Sequence, residues 1–353
     1  MLLQENIPLA PLTTLRIGGA ARFLVEAQSR IDVEEAVAFA RTKRSALFIL
    51  GGGSNLVVAD SGWPGLVLKM AIPGIEQRPG TNDEGKVLFD AGAGESWDRF
   101  VSHAVMAQCA GVECLSGIPG CVGGTPVQNV GAYGQEVAET IESVRALDTR
   151  TNDGRIVTLP RPACGFRYRS SIFNTEELGR YIILRVNYRL RRAGEPTLRY
   201  GDLKKHFSES KTPLSLSAVR EAVLQIRRAK GMLLVPGDSD SRSAGSFFKN
   251  PVLTGAQFQD VTARAASKGL EIPSYPALEA RHKISAAWLV EHSGFSKGFR
   301  LGAAGISTKH ALALINPGSA LARDIVHLKE VIQERVRSEW GIVLEAEPVF
   351  VGF

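Results

Sequence analysis

Long apolar runs, paired cysteines and metal-ligand patterns are absent from this sequence. No run of about 18 apolar residues occurs, so the sequence predicts no transmembrane helix. Residues 1–6 lack the basic start and long apolar stretch of a signal peptide. The 353 residues include only four cysteines, none in a Cys-x-x-Cys pair, and six scattered histidines. We therefore expect neither a disulfide framework nor a metal site, and we expect a cytoplasmic protein.

A strong excess of one charge is also missing. Lysine and arginine number 42 and aspartate and glutamate 36, which gives a net charge of +6. The densest basic stretches, residues 189–192 and 227–230, are short and predict solvated faces. The charge pattern thus favours small anionic ligands and predicts no nucleic-acid binding.

Apolar periodicity predicts an alternation of helices and short strands over two or three domains. One buried helical face is indicated at Val33, Ala36, Val37 and Ala40, and Ser96 is predicted to cap a second helix. Further helices are predicted over residues 217–230, 255–268, 284–293 and 320–339. Strands are predicted over residues 46–50, 56–59, 66–69, 87–91, 143–148, 155–159, 181–190 and 342–353, with a hairpin turn at 149–154 and a polar internal boundary at 237–245.

Two glycine-rich loops are the first candidates for ligand binding. Residues 51–55 read Gly-Gly-Gly-Ser-Asn after a predicted strand, but Leu56 breaks a Rossmann fingerprint and no Gly-Lys-Ser/Thr follows. Alone, this loop indicates either a tight turn or a pyrophosphate cradle. Residues 117–134 hold six more glycines. That density, with uncharged polar residues between, favours backbone lying against a flavin or a pyrophosphate, while a glycine-rich surface loop is the alternative.

Three other segments carry polar residues whose spacing does not decide their role. Arg167 and Arg169 flank a tyrosine, and their spacing favours an exposed pair over a carboxylate clamp. Ser246 follows a glycine without forming a Gly-x-Ser-x-Gly elbow, so a hydrolase nucleophile is not supported. Glu345 and Glu347 share a face if they lie on a strand, either as a solvent-facing edge or as a held carboxylate.

Four motifs, in this order, resemble those of the UDP-N-acetylenolpyruvoylglucosamine reductase family. The resemblance extends from about Leu12 to the carboxyl terminus, and residues 13–19 are similar to the family's opening, with Leu15 where phenylalanine is usual. The motifs are Leu-Gly-Gly-Gly-Ser-Asn-Leu at 50–56, Ile-Pro-Gly-Cys-Val-Gly-Gly-Thr-Pro-Val-Gln-Asn-Val-Gly-Ala-Tyr-Gly at 118–134, Tyr-Arg-Ser-Ser-Ile-Phe at 168–173, and Gly-Ser-Phe-Phe-Lys-Asn-Pro at 245–251.

The resemblance implies a cytoplasmic flavoenzyme of peptidoglycan precursor synthesis with an α+β fold. Its FAD-binding fold would be of the vanillyl-alcohol-oxidase/PCMH type, with subdomains at residues 1–75 and 76–229. A UDP-sugar domain would follow at 230–344, and a strand within 345–353 would return to the first subdomain. The implied partners are NADPH and UDP-N-acetylglucosamine enolpyruvate. Because neither glycine loop contains a histidine, we expect non-covalent FAD, and we expect a monomer without membrane insertion.

Site residues follow from the resemblance motif by motif. Arg169 matches the arginine at the substrate carboxylate, Ser246 the proton donor, and Glu347 the carboxyl-terminal glutamate, with Ala346 where proline is usual. Substrate contacts are expected at Tyr200, in the subclass whose tyrosine loop closes over the UDP-sugar, and at Lys230 and Asn250. The expected FAD contacts are Gly51, Gly52, Gly53, Ser54, Asn55, Ile118, Pro119, Gly120, Gly123, Gly124, Thr125, Gln128, Asn129, Gly131, Ala132 and Tyr133.

Two other functions remain as alternatives. A different flavin-dependent oxidase or dehydrogenase on the same fold would keep the glycine loops but lack the set Arg169, Ser246 and Glu347. A non-catalytic nucleotide- or nucleic-acid-binding protein would hold no chromophore, so the colour of the purified protein separates it from both flavoenzymes.

Overall fold

The structure, a computed structural model, describes residues 1–79, 85–151, 154–209, 213–276 and 280–353. Seven α-helices occur in these ranges: α1 Arg30–Thr42, α2 Trp97–Met106, α3 Gly201–His206, α4 Leu216–Ala229, α5 Gly255–Ala266, α6 Ala286–Glu291 and α7 Ala322–Trp340. None of the described helices has the length and apolarity needed to cross a bilayer.

The same ranges contain twenty strands, most of them short. They are β1 Leu3–Pro8, β2 Ala20–Ala27, β3 Leu47–Leu50, β4 Leu56–Val58, β5 Trp63–Met70, β6 Ile75–Pro79, β7 Lys86–Gly92, β8 Cys109–Ala110, β9 Gly131–Ala132, β10 Gln135–Glu136, β11 Ile141–Asp148, β12 Ile156–Pro160, β13 Tyr181–Arg192, β14 Val252–Leu253, β15 Ser274–Pro276, β16 His282–Ile284, β17 Arg300–Leu301, β18 Ala304–Ile306, β19 Leu314–Ile315 and β20 Val349–Val351.

The first of two compact units comprises residues 1–7, 21–53 and 64–229. It holds a sheet of order β1-β2-β5-β3 and a sheet of order β12-β11-β13-β7-β6, with β8 also paired to β13. Helix α1 packs one apolar face into the core of this unit, because Val33, Ala36, Val37 and Ala40 recur at helical spacing and are all buried. Ser29 caps α1, since its hydroxyl accepts a hydrogen bond from the Asp32 backbone.

The second unit comprises residues 8–20, 54–63 and 230–353. Its sheets have the orders β14-β16-β15 and β17-β18-β19, and β20 pairs in parallel with β4. Helix α7 buries a stripe that ends at Trp340, and Gly341 ends the helix in the left-handed conformation that glycine adopts without strain. The division of residues 1–229 into subdomains at 75/76, and the 230–344 domain, stay predictions.

Most predicted elements are confirmed within a few residues. Ser96 caps α2, and β11 pairs antiparallel with β12 as the predicted hairpin. The tip of that hairpin at residues 152–153, and residues 210–212 before α4, lie outside the described residues. The predicted strand over 342–353 is wrong in extent, because regular pairing covers only β20. Strand length here depends on a partner, β4, that lies far away in the sequence.

Candidate functional site

Backbones of the two glycine loops lie against each other in the first unit. A Cβ added at Gly52 would lie 2.5 Å from the Cα atom of Gly120, and one added at Gly51 would lie 2.8 Å from the Cys121 sulfur. Side chains are therefore excluded at these points. Gly53 adopts a φ of 64°, in the left-handed region that favours glycine.

Amide groups of three glycines are directed at Cys121, which lies between the loops. Burial raises the pKa of the Cys121 thiol, and hydrogen bonds from the backbone N–H groups of Gly124, Gly52 and Gly123 oppose that rise. The thiol is therefore neutral at pH 7. The glycines leave the backbone of both loops uncovered by side chains, and backbone N–H groups of glycine-rich loops are suited to a pyrophosphate. The residues present thus fit FAD.

Side chains of the second glycine loop mainly fix the loop itself. The buried Asn129 amide donates to a Glu136 carboxylate oxygen at 2.8 Å and to the Arg167 carbonyl at 3.0 Å, and its oxygen accepts from the Ala138 N–H. Thr125 and Tyr188 share a hydrogen bond of 2.7 Å between their hydroxyls. We infer that Asn129 and Thr125 contribute to a cofactor site mainly through the backbone that they hold.

Arg169 occupies a tight turn. Hydrogen bonds in both directions between the Arg167 and Ser170 backbones close the turn, and Arg169 has a φ of 53°. A non-glycine residue in that conformation stores strain, which is common at functional sites. The half-buried Arg169 approaches Gly131, because a Cβ added there would lie 3.2 Å from an Arg169 Nη atom. Arg167 is exposed and forms an ion pair with Glu176. The expectation that both arginines are exposed therefore holds for Arg167 and not for Arg169.

Tyr200 lies at the start of α3 and contacts Tyr133 of the second glycine loop. The two rings meet edge to face with centroids 5.3 Å apart. The Arg227 guanidinium donates a hydrogen bond to the Tyr133 hydroxyl. The predicted solvated face at 227–230 is therefore wrong for Arg227, which is buried. Burial lowers the pKa of Arg227, and Tyr133 and Asp98 oppose that change. The helical spacing carried the signal, because Arg227 lies four residues after the buried Val223, on the same face of α4.

In the second unit, two extended segments bring Ser246 beside Glu347. The Phe247 N–H donates to the Leu312 carbonyl at 2.8 Å, and the Glu347 N–H donates to the Phe247 carbonyl at 2.9 Å. Ser246 therefore precedes Phe247, whose backbone is held by hydrogen bonds to Leu312 and to Glu347. In the described part of the chain, the half-buried Ser246 hydroxyl makes no hydrogen bond, so it is available to a ligand.

Glu345 and Glu347 differ in exposure and in their contacts. Glu345 is exposed and its carboxylate contacts the Lys249 ammonium at 2.6 Å. Glu347 is half-buried, and its carbonyl accepts from the Asn55 amide at 3.2 Å. Asn55, expected at the cofactor, therefore helps to hold the backbone of Glu347.

Lys230 and Asn250 lie on different parts of the second unit. Burial, together with the positive charges of Lys230 and Lys297, lowers the pKa of His310 to about 4, so His310 is neutral at pH 7. The Asn250 amide oxygen accepts from the Ala286 N–H at 2.9 Å, at the start of α6. No cluster of three potential metal ligands occurs among the described residues.

Comparisons with known proteins agree with this geometry. Residues 21–160 match the family described as FAD binding domain, and residues 237–351 match the carboxyl-terminal domain of UDP-N-acetylenolpyruvoylglucosamine reductase. A protein of that name from Streptomyces coelicolor is 44% identical over 99% of this chain and 90% of its own length. One from Thermobifida fusca is 43% identical over 99% of this chain and 98% of its own.

A solved structure shows the same fold. The reductase from Thermus caldophilus superimposes with a TM-score of 0.65 at 26% identity, over 99% of each chain. The predicted α+β fold, with an FAD-binding part and a further carboxyl-terminal domain, is confirmed, and its assignment to the vanillyl-alcohol-oxidase/PCMH type stays a prediction. Because these relatives are more than 40% identical over nearly the whole chain, the chain belongs to the UDP-N-acetylenolpyruvoylglucosamine reductase family and is an FAD-containing oxidoreductase.

Proposed function

We propose that the protein reduces the enolpyruvyl group of UDP-N-acetylglucosamine enolpyruvate to a lactyl ether, with NADPH as the reductant. The product, UDP-N-acetylmuramate, would enter peptidoglycan synthesis in the cytoplasm. Family membership supports the reaction class. The observation that carries the chemistry is the Ser246 hydroxyl, which is fixed next to a strand-like contact with Glu347 and is not engaged by another described residue.

The substrate is an enol ether whose carboxylate lies on the alkene carbon that bears the ether oxygen. When bound by the glycine loops at 51–55 and 117–134, FAD would supply the hydride, taken from NADPH, that goes to the methylene carbon. Negative charge then moves onto the carboxylate as an enolate forms. The Arg169 guanidinium would stabilise that charge where it develops, which accelerates the reaction more than equal binding of substrate and transition state.

Protonation of the enolate completes the reaction. An enolate is a strong base, so the weakly acidic Ser246 hydroxyl is a sufficient donor to the carboxylate-bearing carbon. Glu347 would orient that hydroxyl or exchange its proton. The strand-like contact that joins the two residues keeps their backbones at a fixed separation, which favours a positioned proton donor.

Tyr200 is proposed to close over the UDP-sugar. The residue is 41% exposed, so part of it is open to solvent while its ring contacts Tyr133. Tyr200→Phe should raise the KM for the UDP-sugar more than it changes flavin reduction by NADPH. The reason is that the Tyr200 hydroxyl is proposed to contact the UDP-sugar and has no proposed role in flavin reduction. Equal damage to both steps would contradict this role.

The decisive experiment separates the two half-reactions of Ser246→Ala by stopped-flow flavin absorbance. Flavin reduction by NADPH should match that of the wild type, and reoxidation by the enolpyruvyl substrate should slow by roughly 10²–10⁴. Ser239→Ala is a matched control, since Ser239 precedes the same segment and its hydroxyl makes no hydrogen bond among the described residues. Reoxidation of Ser246→Ala at the wild-type rate would remove Ser246 from the mechanism.

Binding mode and assembly are tested on the same preparation. The purified protein should be yellow, and acid precipitation should release FAD into the supernatant, because we propose non-covalent binding. Flavin retained in the pellet would contradict that. Sedimentation should give a monomer.

A further inference from the structure

A buried carboxylate outside the proposed chemistry joins three segments of the first unit. Glu113 has no exposed surface. Its carboxylate accepts hydrogen bonds from the Gly111 N–H at 2.7 Å, the Gln135 amide at 2.9 Å and the Thr197 N–H at 2.9 Å. Among the described residues it forms no ion pair with a lysine or arginine. These three donors, and not a cation, therefore compensate for its burial.

The segments that Glu113 joins lead to two aromatic residues of the proposed site. Gln135 lies two residues after Tyr133 on the glycine loop, and Thr197 lies three residues before Tyr200. The rings of Tyr133 and Tyr200 are in contact. Glu113 thus bonds to both segments within three residues of the tyrosines whose rings are in contact.

Cys114 adds a second hydrogen bond to each of the two segments, at Gln135 and at Thr197, that Glu113 holds. Its N–H donates to the Gln135 amide oxygen at 2.8 Å, and its thiol donates to the Thr197 carbonyl at 3.1 Å. Consecutive residues therefore hold the same two segments from one point. Burial raises the pKa of the Cys114 thiol, so it remains a neutral donor.

The chemistry of the side chain explains why a carboxylate is required. A carboxylate is an acceptor at both oxygens and satisfies all three donors. A glutamine of the same shape would place its NH₂ group against a backbone N–H or the Gln135 amide, and one link would break. Residues 193–200 belong to no helix or strand, so side chains, and not a backbone ladder, hold Thr197 in place.

We infer that Glu113 is a positioning residue that holds the Tyr200 segment against the cofactor loop, so that Tyr200 is placed for substrate before substrate arrives. This inference rests on the proposed role of Tyr200. It assigns Glu113 no contact with the reacting atoms. Its effect is predicted to pass entirely through Tyr200.

A double-mutant cycle distinguishes this role from general stabilisation. The measurement is the Kd of the enolpyruvyl substrate for oxidised holoenzyme, followed by flavin absorbance in wild type, Glu113→Gln, Tyr200→Ala and the double variant. Glu113→Gln should raise the Kd about tenfold, the effect of losing a hydrogen bond to a charged group. In the Tyr200→Ala background the same change should alter the Kd less than about twofold. NADPH reduction of the flavin should be unchanged in Glu113→Gln.

Glu139→Gln is the matched control. Glu139 contacts Arg199, the neighbour of Tyr200, at 3.0 Å, but both side chains are exposed, so this pair should contribute little. Its Kd should stay within about twofold of the wild type. A Kd that rises equally for both glutamine variants would overturn the assignment, and so would a Glu113→Gln effect that persists undiminished without the Tyr200 ring.

A second variant covers the case in which Glu113→Gln does not fold. Thr197→Pro removes the N–H that donates to Glu113, at a position outside every described helix and strand, and it also replaces the threonine side chain and fixes φ at about −65°. It should reproduce the tenfold rise in Kd, and a wild-type Kd would overturn the inference. If the wild type itself fails to bind the substrate, the proposed function is wrong; if the wild type binds it and the glutamine variant binds equally well, only this inference is wrong.

Discussion

Replacing Gly52 by alanine is the most direct test of the cofactor cradle. The new Cβ would lie 2.5 Å from the Cα of Gly120 and 2.8 Å from its carbonyl carbon. Non-bonded carbons rest at about 3.5–4.0 Å, so the two loops must separate by roughly 1 Å. Neither neighbour is a side-chain end that could rotate away. Overpacking of this kind costs about 1–3 kcal/mol.

That cost is divided between two measurable quantities. If the loops stay close, it lowers the free energy of unfolding of the apoprotein; if they separate, it lowers the affinity for FAD. Assigned wholly to FAD, it predicts a Kd about 5- to 150-fold higher. The assay combines FAD titration of apoprotein, by quenching of flavin fluorescence, with thermal unfolding of the same samples.

Gly255→Ala is the control for this experiment. A Cβ at Gly255 meets no atom within 4 Å, and the residue begins α5, where alanine is well tolerated. Its Tm and FAD affinity should equal or slightly exceed those of the wild type. The steric argument is refuted if Gly52→Ala retains both the wild-type Tm and the wild-type Kd for FAD.

Three further predictions concern charge and capping. Arg169→Lys keeps the charge but loses the planar fork, so flavin reoxidation by substrate should slow about 10²-fold while reduction by NADPH does not; equal slowing of both would contradict its assignment. Asp60→Ala should lower the unfolding free energy by about 0.5–2 kcal/mol in chemical denaturation, because Asp60 accepts from the Ala322 N–H at 2.8 Å at the start of α7. Hydrogen bonding from Arg180 outweighs burial and lowers the pKa of Asp148. The resulting stabilisation is present above the unfolded pKa, about 3.9, and is lost as pH falls through the lower folded pKa. Asp148→Asn should therefore destabilise the protein at pH 7, and the difference should shrink below about pH 4; a difference independent of pH would refute this.

Local signals were sufficient to predict many elements. The helical face of α1 is buried at the predicted positions, since a period of 3.6 residues brings these side chains to one side whatever packs there, and α2 begins after its predicted cap Ser96. The order of four motifs identified the family, because such loops specify a backbone shape that few sequences satisfy. Neither inference needed a long-range contact.

Burial of single polar residues depended on contacts between distant segments. Arg227 belongs to a basic stretch that looks solvated, yet Tyr133 comes from another part of the chain to cover it. Glu113 carries no motif, and its role depends on Gln135 and Thr197, whose donors reach it only after folding.

The sequence by itself therefore determined the period of the helices, the glycines at close approaches and the family. Only the tertiary structure decided that the Ser246 segment lies between Leu312 and Glu347, that β4 pairs with β20, and that one glutamate holds two loops. The physical reason is that periodicity and backbone freedom are properties of consecutive residues. Hydrogen bonds between distant segments form only when the whole chain has paid the entropy of bringing them together.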